Sequence, residues 1–313
     1  MEEWIGNVRL NLQYYPGEDL YSEGEVEQEL LEIVSNNENS VESLNDIIAE
    51  KRSWSTLYHL SELRSNIIES LPITKEDKVL EIGAGCGAIT GKLAEKAKEV
   101  TCIDLSKRRS LINAYKNKEY DNITIVVGNF QDIERNLKEK YDYITLTGVF
   151  EYAELYIDSE NPYPALLQML AGHLSEKGKL VVAIENRLGL KYWAGCGEDH
   201  LSQYFVGLEG YPSVHGVKTF SKKEWEVLLR EGGFENYIFY YPYPDYKFPL
   251  VIYSDDYLPK IGELVDNEIN MDQDRLCLFD EGRVFDTIIE NDLFPEFSNS
   301  FLIIIENNHG EQS

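Results

Sequence analysis

The chain has 313 residues, 43% hydrophobic and 12% aromatic, enough to bury a sizeable core and to exclude disorder for most of its length. Its 56 acidic side chains outnumber 29 basic ones, a formal net charge of -27 that argues against nucleic-acid or anionic-membrane partners, because both surfaces would be repelled. The longest apolar runs, Leu180–Ile184 and Phe301–Ile305, are far too short to span a bilayer.

The N-terminus, Met1-Glu2-Glu3-Trp4, lacks the basic and apolar regions of a signal peptide. Cys86, Cys102, Cys196 and Cys277 have no paired spacing, so a cytoplasmic protein without disulfides and without membrane insertion is expected. Residues 1–70 hold 15 acidic and 4 basic side chains and read as a helical cap, with helices over Gly24–Val34 and Tyr58–Leu71. Residues 71–242 are nearly balanced, 25 acidic against 21 basic, and alternate strand-like with helix-like segments, the pattern of a parallel sheet with helices on both faces. Strands are expected at Lys78–Ile82, Val100–Ile103, Ile123–Val127, Tyr143–Leu146, Lys179–Ile184 and Tyr237–Tyr241. Helices fall between them at Ile89–Lys98, Lys107–Asn117, Tyr163–His173 and Ser221–Arg230. Ser106 is placed to cap the second of these helices, and Ser221 with Glu224 has capping-box spacing at the start of the last. Residues 243–299 read as an acidic insertion with at least one helix, and residues 300–313 as the last core strand, Phe301–Ile305, and a tail. The expected class is α/β, doubly wound, with a seven-stranded, mostly parallel sheet. The acidic flanks read first as solvated helical faces, and second as surfaces shaped for a neutral or cationic acceptor.

Val79–Thr90, VLEIGAGCGAIT, is the most informative stretch: a buried strand runs into a glycine loop and then a helix. Such a loop lets backbone N–H groups approach a ligand at the crevice beyond the strand ends. Asp104, twenty-one residues after Gly83, directly follows the second strand, where a carboxylate can accept hydrogen bonds from ribose hydroxyls. Gly83, Gly85 and Ala88 also satisfy a dinucleotide pattern, but Glu81 at the strand's mouth would repel a diphosphate. It would attract an ammonium and a sulfonium, and Gly87 gives G-x-G-x-G spacing. S-adenosylmethionine carries both cations and no phosphate.

At these residues the chain resembles the class I S-adenosylmethionine-dependent methyltransferases, a Rossmann-like family, over residues 71–242. The resemblance implies that Glu81, Gly83, Gly85 and Gly87 hold the methionine part of the cofactor, and that Asp104, with Leu105 beside it, takes the ribose. It implies adenine contacts from Asn129 and Phe130, and a place under the methionine for Thr147–Tyr152, including Glu151. Many relatives have Asp where this chain has Asn129, a swap that keeps an acceptor oxygen.

No Asn-Pro-Pro-Tyr or Asp-Pro-Pro-Tyr follows the fourth strand, which disfavours methylation of a flipped base. The segment Ile184–His200 resembles a bacterial methyltransferase group associated with cell-surface polysaccharide synthesis, as do Phe239–Lys247 and Tyr21-Ser22. That likeness implies a glycan hydroxyl as acceptor, a glycosyltransferase as natural partner, and a loop after the fifth strand lying over the transferable methyl. Aromatic rings beside carboxylates suit sugars, and Tyr192, Trp193 and Tyr241 are the candidate rings. A hydroxyl needs a base, for which His200 beside Asp199 is the first candidate and His215 and Glu151 are reserves. Cys196, Asp199 and His200 do not complete a ligand set, so no metal is expected. Two other readings stay open: a methyltransferase for a small secondary metabolite or peptide carboxylate, and an idle cofactor-binding adaptor that docks through its acidic flanks.

Overall fold

The computed structural model describes residues 2–19, 24–36, 39–267 and 275–307. Tyr21-Ser22 and the tail beyond 307 lie outside the described residues. The chain forms two compact units, Met1–Leu146 with Met169–Leu180, and Thr147–Gln168 with Val181–Ser313.

The sheet of the first unit begins with a hairpin, β1 (Glu2–Ile5) and β2 (Val8–Asn11), in which Ile5 pairs with Val8 across Gly6-Asn7. Then come β3 (Lys78–Ile82), β4 (Glu99–Asp104), β5 (Ile123–Val127) and β6 (Tyr141–Thr147). Their order is β1-β2-β5-β4-β3-β6, with every pair parallel except the hairpin. β3 and β5 are buried nearly throughout, as strands covered on both faces must be. The helix Lys107–Lys116, capped by Ser106 on the Arg109 amide, buries Ile112 against Leu30, Ile33, Val34, Leu44 and Leu60 of the N-terminal helices. A buried ion pair of 2.6 Å between Glu27 and Arg109 ties Glu25–Asn36 to the same helix.

β7 (Leu174–Glu185) begins in the first unit and ends in the second. The second unit adds β8 (Tyr237–Tyr243), β9 (Val251–Ser254) and β10 (Ser300–Glu306), in the order β7-β10-β8-β9. β8 is antiparallel to both β10 and β9. Phe150, Tyr163, Phe220 and Trp225 form an aromatic core here, with ring centroids of Phe150 and Trp225 4.6 Å apart. Helix Lys222–Glu231 opens with the expected capping box of Ser221 and Glu224.

The fold is α/β and Rossmann-like, with a mostly parallel central sheet, but ten strands stand among the described residues rather than seven. The additional three are β1, β2 and β9, each four residues long and partly exposed. Residues 243–299, read as an acidic insertion with at least one helix, contain β9 and helix Glu281–Glu290. β9 pairs with β8, and helix Glu281–Glu290 buries Phe285 against Phe294. No helix among the described residues is long and apolar enough to cross a membrane.

Candidate active site

In the first unit, Gly83, Gly85 and Gly87 all have positive φ, 68°, 53° and 76°, in the turn between β3 and helix Thr90–Lys96. A Cβ on Gly87 would strike the side chains of Asn113 and Asn117, so that glycine is required by packing. A Cβ on Gly85 would meet nothing closer than the Gly83 carbonyl at 4.0 Å, so this part of the loop borders open space. Asp104 ends β4 and accepts the Gly85 amide at 2.8 Å and the Ser106 amide at 2.9 Å, one on each carboxylate oxygen. Burial pushes its carboxyl up, against the pull of those two amides. Half-buried Leu105 follows it.

Glu81 does not stand open at the strand's mouth. It is 3% exposed, and its Oε2 accepts Thr90 Oγ1 at 2.6 Å and Cys102 Sγ at 3.4 Å. Burial raises its carboxyl to about 7, so the negative charge assumed for it is partly neutralised at neutral pH. Its observed work is to tie the helix after the glycine loop to β3 and β4. Asn129 uses its Oδ1 to accept the Gln131 amide at 3.0 Å and caps the short helix Phe130–Glu134, and Phe130 is buried edge-on to His173.

In the second unit the aromatic core seats the turn Phe150–Tyr152 so that Glu151 is wholly buried. Glu185 closes β7, and Asn186 fixes the following segment by donating to the Glu296 and Ser298 carbonyls at 2.9 and 2.8 Å. His200 then comes between these acids: its Nε2 is 3.6 Å from Glu185 Oε2 and 3.8 Å from Glu151 Oε1. Its Nδ1 is 2.9 Å from the Tyr152 hydroxyl. Glu185 Oε1 is held by Lys247 at 2.8 Å and by the Tyr246 hydroxyl at 3.1 Å. Among the described residues, both oxygens of Glu151, Glu185 Oε2 and His200 Nε2 have no partner within hydrogen-bond distance.

The protonation pattern follows from these contacts. Burial pushes the Glu151 carboxyl up to about 8, only partly relieved by His200. Glu185 is also desolvated, but Lys247 and His200 outweigh that and hold it well below the usual carboxylate range. For His200, burial alone would favour the neutral ring, yet Glu185, Glu151 and Glu198 hold it up at about 9. A charged imidazole has no lone pair to receive a proton, and the surrounding acids favour that charged form of His200 over the neutral form a general base requires.

The expected Asp199–His200 pair is also rearranged. Asp199 binds Lys191 at 3.0 Å, the Tyr192 hydroxyl at 2.5 Å and Lys247, whereas the ring of His200 meets Tyr152 and the two glutamates. Neighbours in sequence take different partners, joined only through Lys247 and Glu185. Glu198 anchors the loop by accepting the amides of His200 and Leu201, each at 2.8 Å. Of the candidate sugar-stacking rings, Tyr192 is buried and Tyr241 is packed against Phe294 and Phe301 with its hydroxyl on Asp255. Trp193, 44% exposed, is the ring whose faces reach solvent. The reserve base His215 has an 88% exposed side chain. Glu185 and Lys247 were not singled out from the sequence. The first does carry a signal, an acid closing a buried apolar strand as Glu81 and Asp104 do.

Among the described residues, Glu151, Glu185 and His200 form a group able to hold a metal ion, their donor atoms all within 4.8 Å of one another. Cys196, weighed with Asp199 and His200 on sequence, is buried and does not belong to it.

A family described as "Methyltransferase domain" matches residues 54–237. A ribosomal RNA small subunit methyltransferase A from Clostridium botulinum (strain ATCC 19397 / Type A) is 41% identical over 88 residues, 28% of this chain and 32% of that protein. The protein of the same name from Bacillus pumilus is 29% identical over 166 residues, 52% of this chain and 54% of its own. The chain thus spans from about a third to about half the length of these curated relatives. Among solved structures, a SAM-dependent methyltransferase from Archaeoglobus fulgidus is similar with a TM-score of 0.48 at 13% identity, covering 80% of this chain and 96% of that one. The relatives named for ribosomal RNA overturn the expectation that a net charge of -27 excludes nucleic acid. A whole-chain sum adds two acidic flanks to a nearly neutral centre, and recognition responds to the local field at the site.

Proposed function

The chain belongs to this family of S-adenosylmethionine-dependent methyltransferases, and on that premise we propose that it methylates a hydroxyl oxygen of a polyhydroxylated acceptor, a glycan or glycan precursor. The cofactor, when bound, supplies an electrophilic methyl group on a sulfonium. The first unit's residues fit it. Asp104 spends one acceptor site per oxygen on backbone amides, which fixes the carboxylate and leaves further lone pairs for a ribose diol. The loop borders open space at Gly85, where a ligand can approach the backbone.

The observation that carries the acceptor class is Glu151 Oε2, buried, not the oxygen turned to His200, and without a hydrogen-bond partner among the described residues. Leaving a buried acceptor without a donor costs about 1–3 kcal/mol per group, and an acceptor rich in O–H groups is chemically suited to satisfy it. Exposed Trp193 offers the C–H faces of a sugar a ring to lie on. A second reading, an RNA acceptor, is favoured by the 41% identity to a ribosomal RNA methyltransferase over 88 residues.

Transfer of labelled methyl from S-adenosylmethionine to a panel of nucleotide sugars, lipid-linked glycan precursors and small-subunit ribosomal RNA tests the proposal. Label in a carbohydrate as an alkali-stable methyl ether is expected. Label confined to RNA would replace this reading by the second.

A further inference from the structure

We propose that Glu151, Glu185 and His200 bind a divalent cation of the Mn2+ type, and that this ion receives the acceptor's hydroxyl oxygen. The binding site stands on the geometry of the second unit alone, whereas the ion's role toward a hydroxyl rests on the reading above.

Three observations converge on the ion. The first is donor chemistry: two carboxylates and one imidazole suit a first-row divalent ion that accepts both oxygen and nitrogen. The second is spacing. At bond lengths of about 2.1 Å, neighbouring octahedral donors stand about 3.0 Å apart and opposite ones about 4.2 Å. The 3.6 and 3.8 Å separations of His200 Nε2 from Glu185 and Glu151 fall between these limits. The third is the absence of other partners. Glu151 and Glu185 are both 0% exposed, and among the described residues the oxygens they aim at His200 Nε2, and that nitrogen itself, have no partner within hydrogen-bond distance.

The charge balance admits the ion. Around the cluster stand the carboxyl groups of Glu151, Glu185, Glu198, Asp199 and Asp245, opposed by Lys191, Lys247 and, when protonated, His200. With Glu151 protonated and the imidazole charged, one negative charge remains, and a dication that displaces those two protons leaves that balance unchanged. The second shell is already built. Tyr152 sits on the far nitrogen of His200, and Lys247 with Tyr246 orients Glu185 through its other oxygen, the arrangement that fixes the direction of metal ligands. Three protein donors leave coordination positions open. A hydroxyl bound there becomes more acidic, and the proton it gives up passes to solvent water while the oxygen keeps the electron pair.

The test is titration of Mn2+ into the chelator-treated 313-residue chain, followed by calorimetry and by the electron paramagnetic resonance of bound Mn2+. Glu151→Gln and His200→Ala are compared with wild type, and S-adenosylhomocysteine binding is measured on each sample as a check of folding. One tight site per chain, weakened at least tenfold in both variants with the resonance signal altered, is expected. Mn2+ binding that is absent, or equal in all three proteins, as loose association with an acidic surface would be, overturns the site. If Mn2+ binds as expected but wild type does not bind S-adenosylhomocysteine, the ion site stands and the methyltransferase reading fails.

Discussion

In the first unit the carboxylates of Glu81 and Asp104 are met by the chain's own donors, Thr90 and Cys102 for one and the amides of Gly85 and Ser106 for the other. In the second, both oxygens of Glu151 and one of Glu185 have no hydrogen-bond donor among the described residues, only the His200 ring at 3.6–3.8 Å, although these side chains are buried more completely than Asp104. A carboxylate satisfied by its own backbone is oriented before any ligand arrives, at little cost to the fold. One left unsatisfied costs about 1–3 kcal/mol and is retained where something outside the chain completes it. The glycine-loop carboxylates are oriented by the chain itself, whereas the Glu151–Glu185–His200 cluster is the one for which an outside partner is proposed.

The largest effect expected from this contrast is on stability in the second unit. Lys247 stands between Glu185 and Asp199, so Lys247→Met leaves two buried carboxylates short of their cation. Removing one partner of a buried pair costs about 3–5 kcal/mol, which denaturant unfolding would read directly. A loss below about 1 kcal/mol would mean that the cluster is hydrated and its charges are screened.

In the first unit the corresponding effect is on pH dependence. Burial raises Glu81 from 4.5 to about 7, so between those values the folded chain keeps a proton that the unfolded chain has released. Its contribution is therefore most favourable below about 4.5 and declines as pH rises through 7. Across pH 5–8 the stability of Glu81→Gln relative to wild type should rise by up to about 3 kcal/mol. A difference that stays flat with pH would show that Glu81 is not desolvated. At the small end, His215→Ala should change stability by no more than about 0.5 kcal/mol and leave turnover unaltered, because its exposed ring touches neither network. A large loss of activity there would move the reaction centre away from His200.

The core strands were legible because their signals are local. Lys78–Ile82 and Ile123–Val127 are apolar runs cut off by polar residues or glycine, and the structure has them at those bounds. The Ser221–Glu224 capping box was equally readable, since its partners lie three residues apart. β1 and β2 escaped notice although Gly6-Asn7 is a hairpin signal, because four-residue edge strands with alternating exposure look like a charged tail. The Glu151–Glu185–His200 cluster was only half readable. His200 and Glu151 attract attention as residue types, but what defines the site is how Glu185, 15 residues before His200, and Lys247, 47 after it, converge with them. Chain adjacency misled in the other direction, pairing His200 with Asp199 when tertiary packing sends Asp199 to Lys191 and Tyr192.

The central claim is a division of labour, with the methyl donor held by the glycine-loop unit and the acceptor chemistry belonging to the other. Calorimetric titration of S-adenosylhomocysteine into wild type, Asp104→Ala and His200→Ala tests it most directly, because no acceptor need be known. Wild type should bind, and Asp104→Ala should bind about 10- to 150-fold more weakly, the equivalent of about 1.5–3 kcal/mol for hydrogen bonds to a charged group. His200→Ala should match wild type, and NAD should give no heat with any of the three. Wild-type affinity in Asp104→Ala, or tight binding of NAD in place of S-adenosylhomocysteine, would contradict the account.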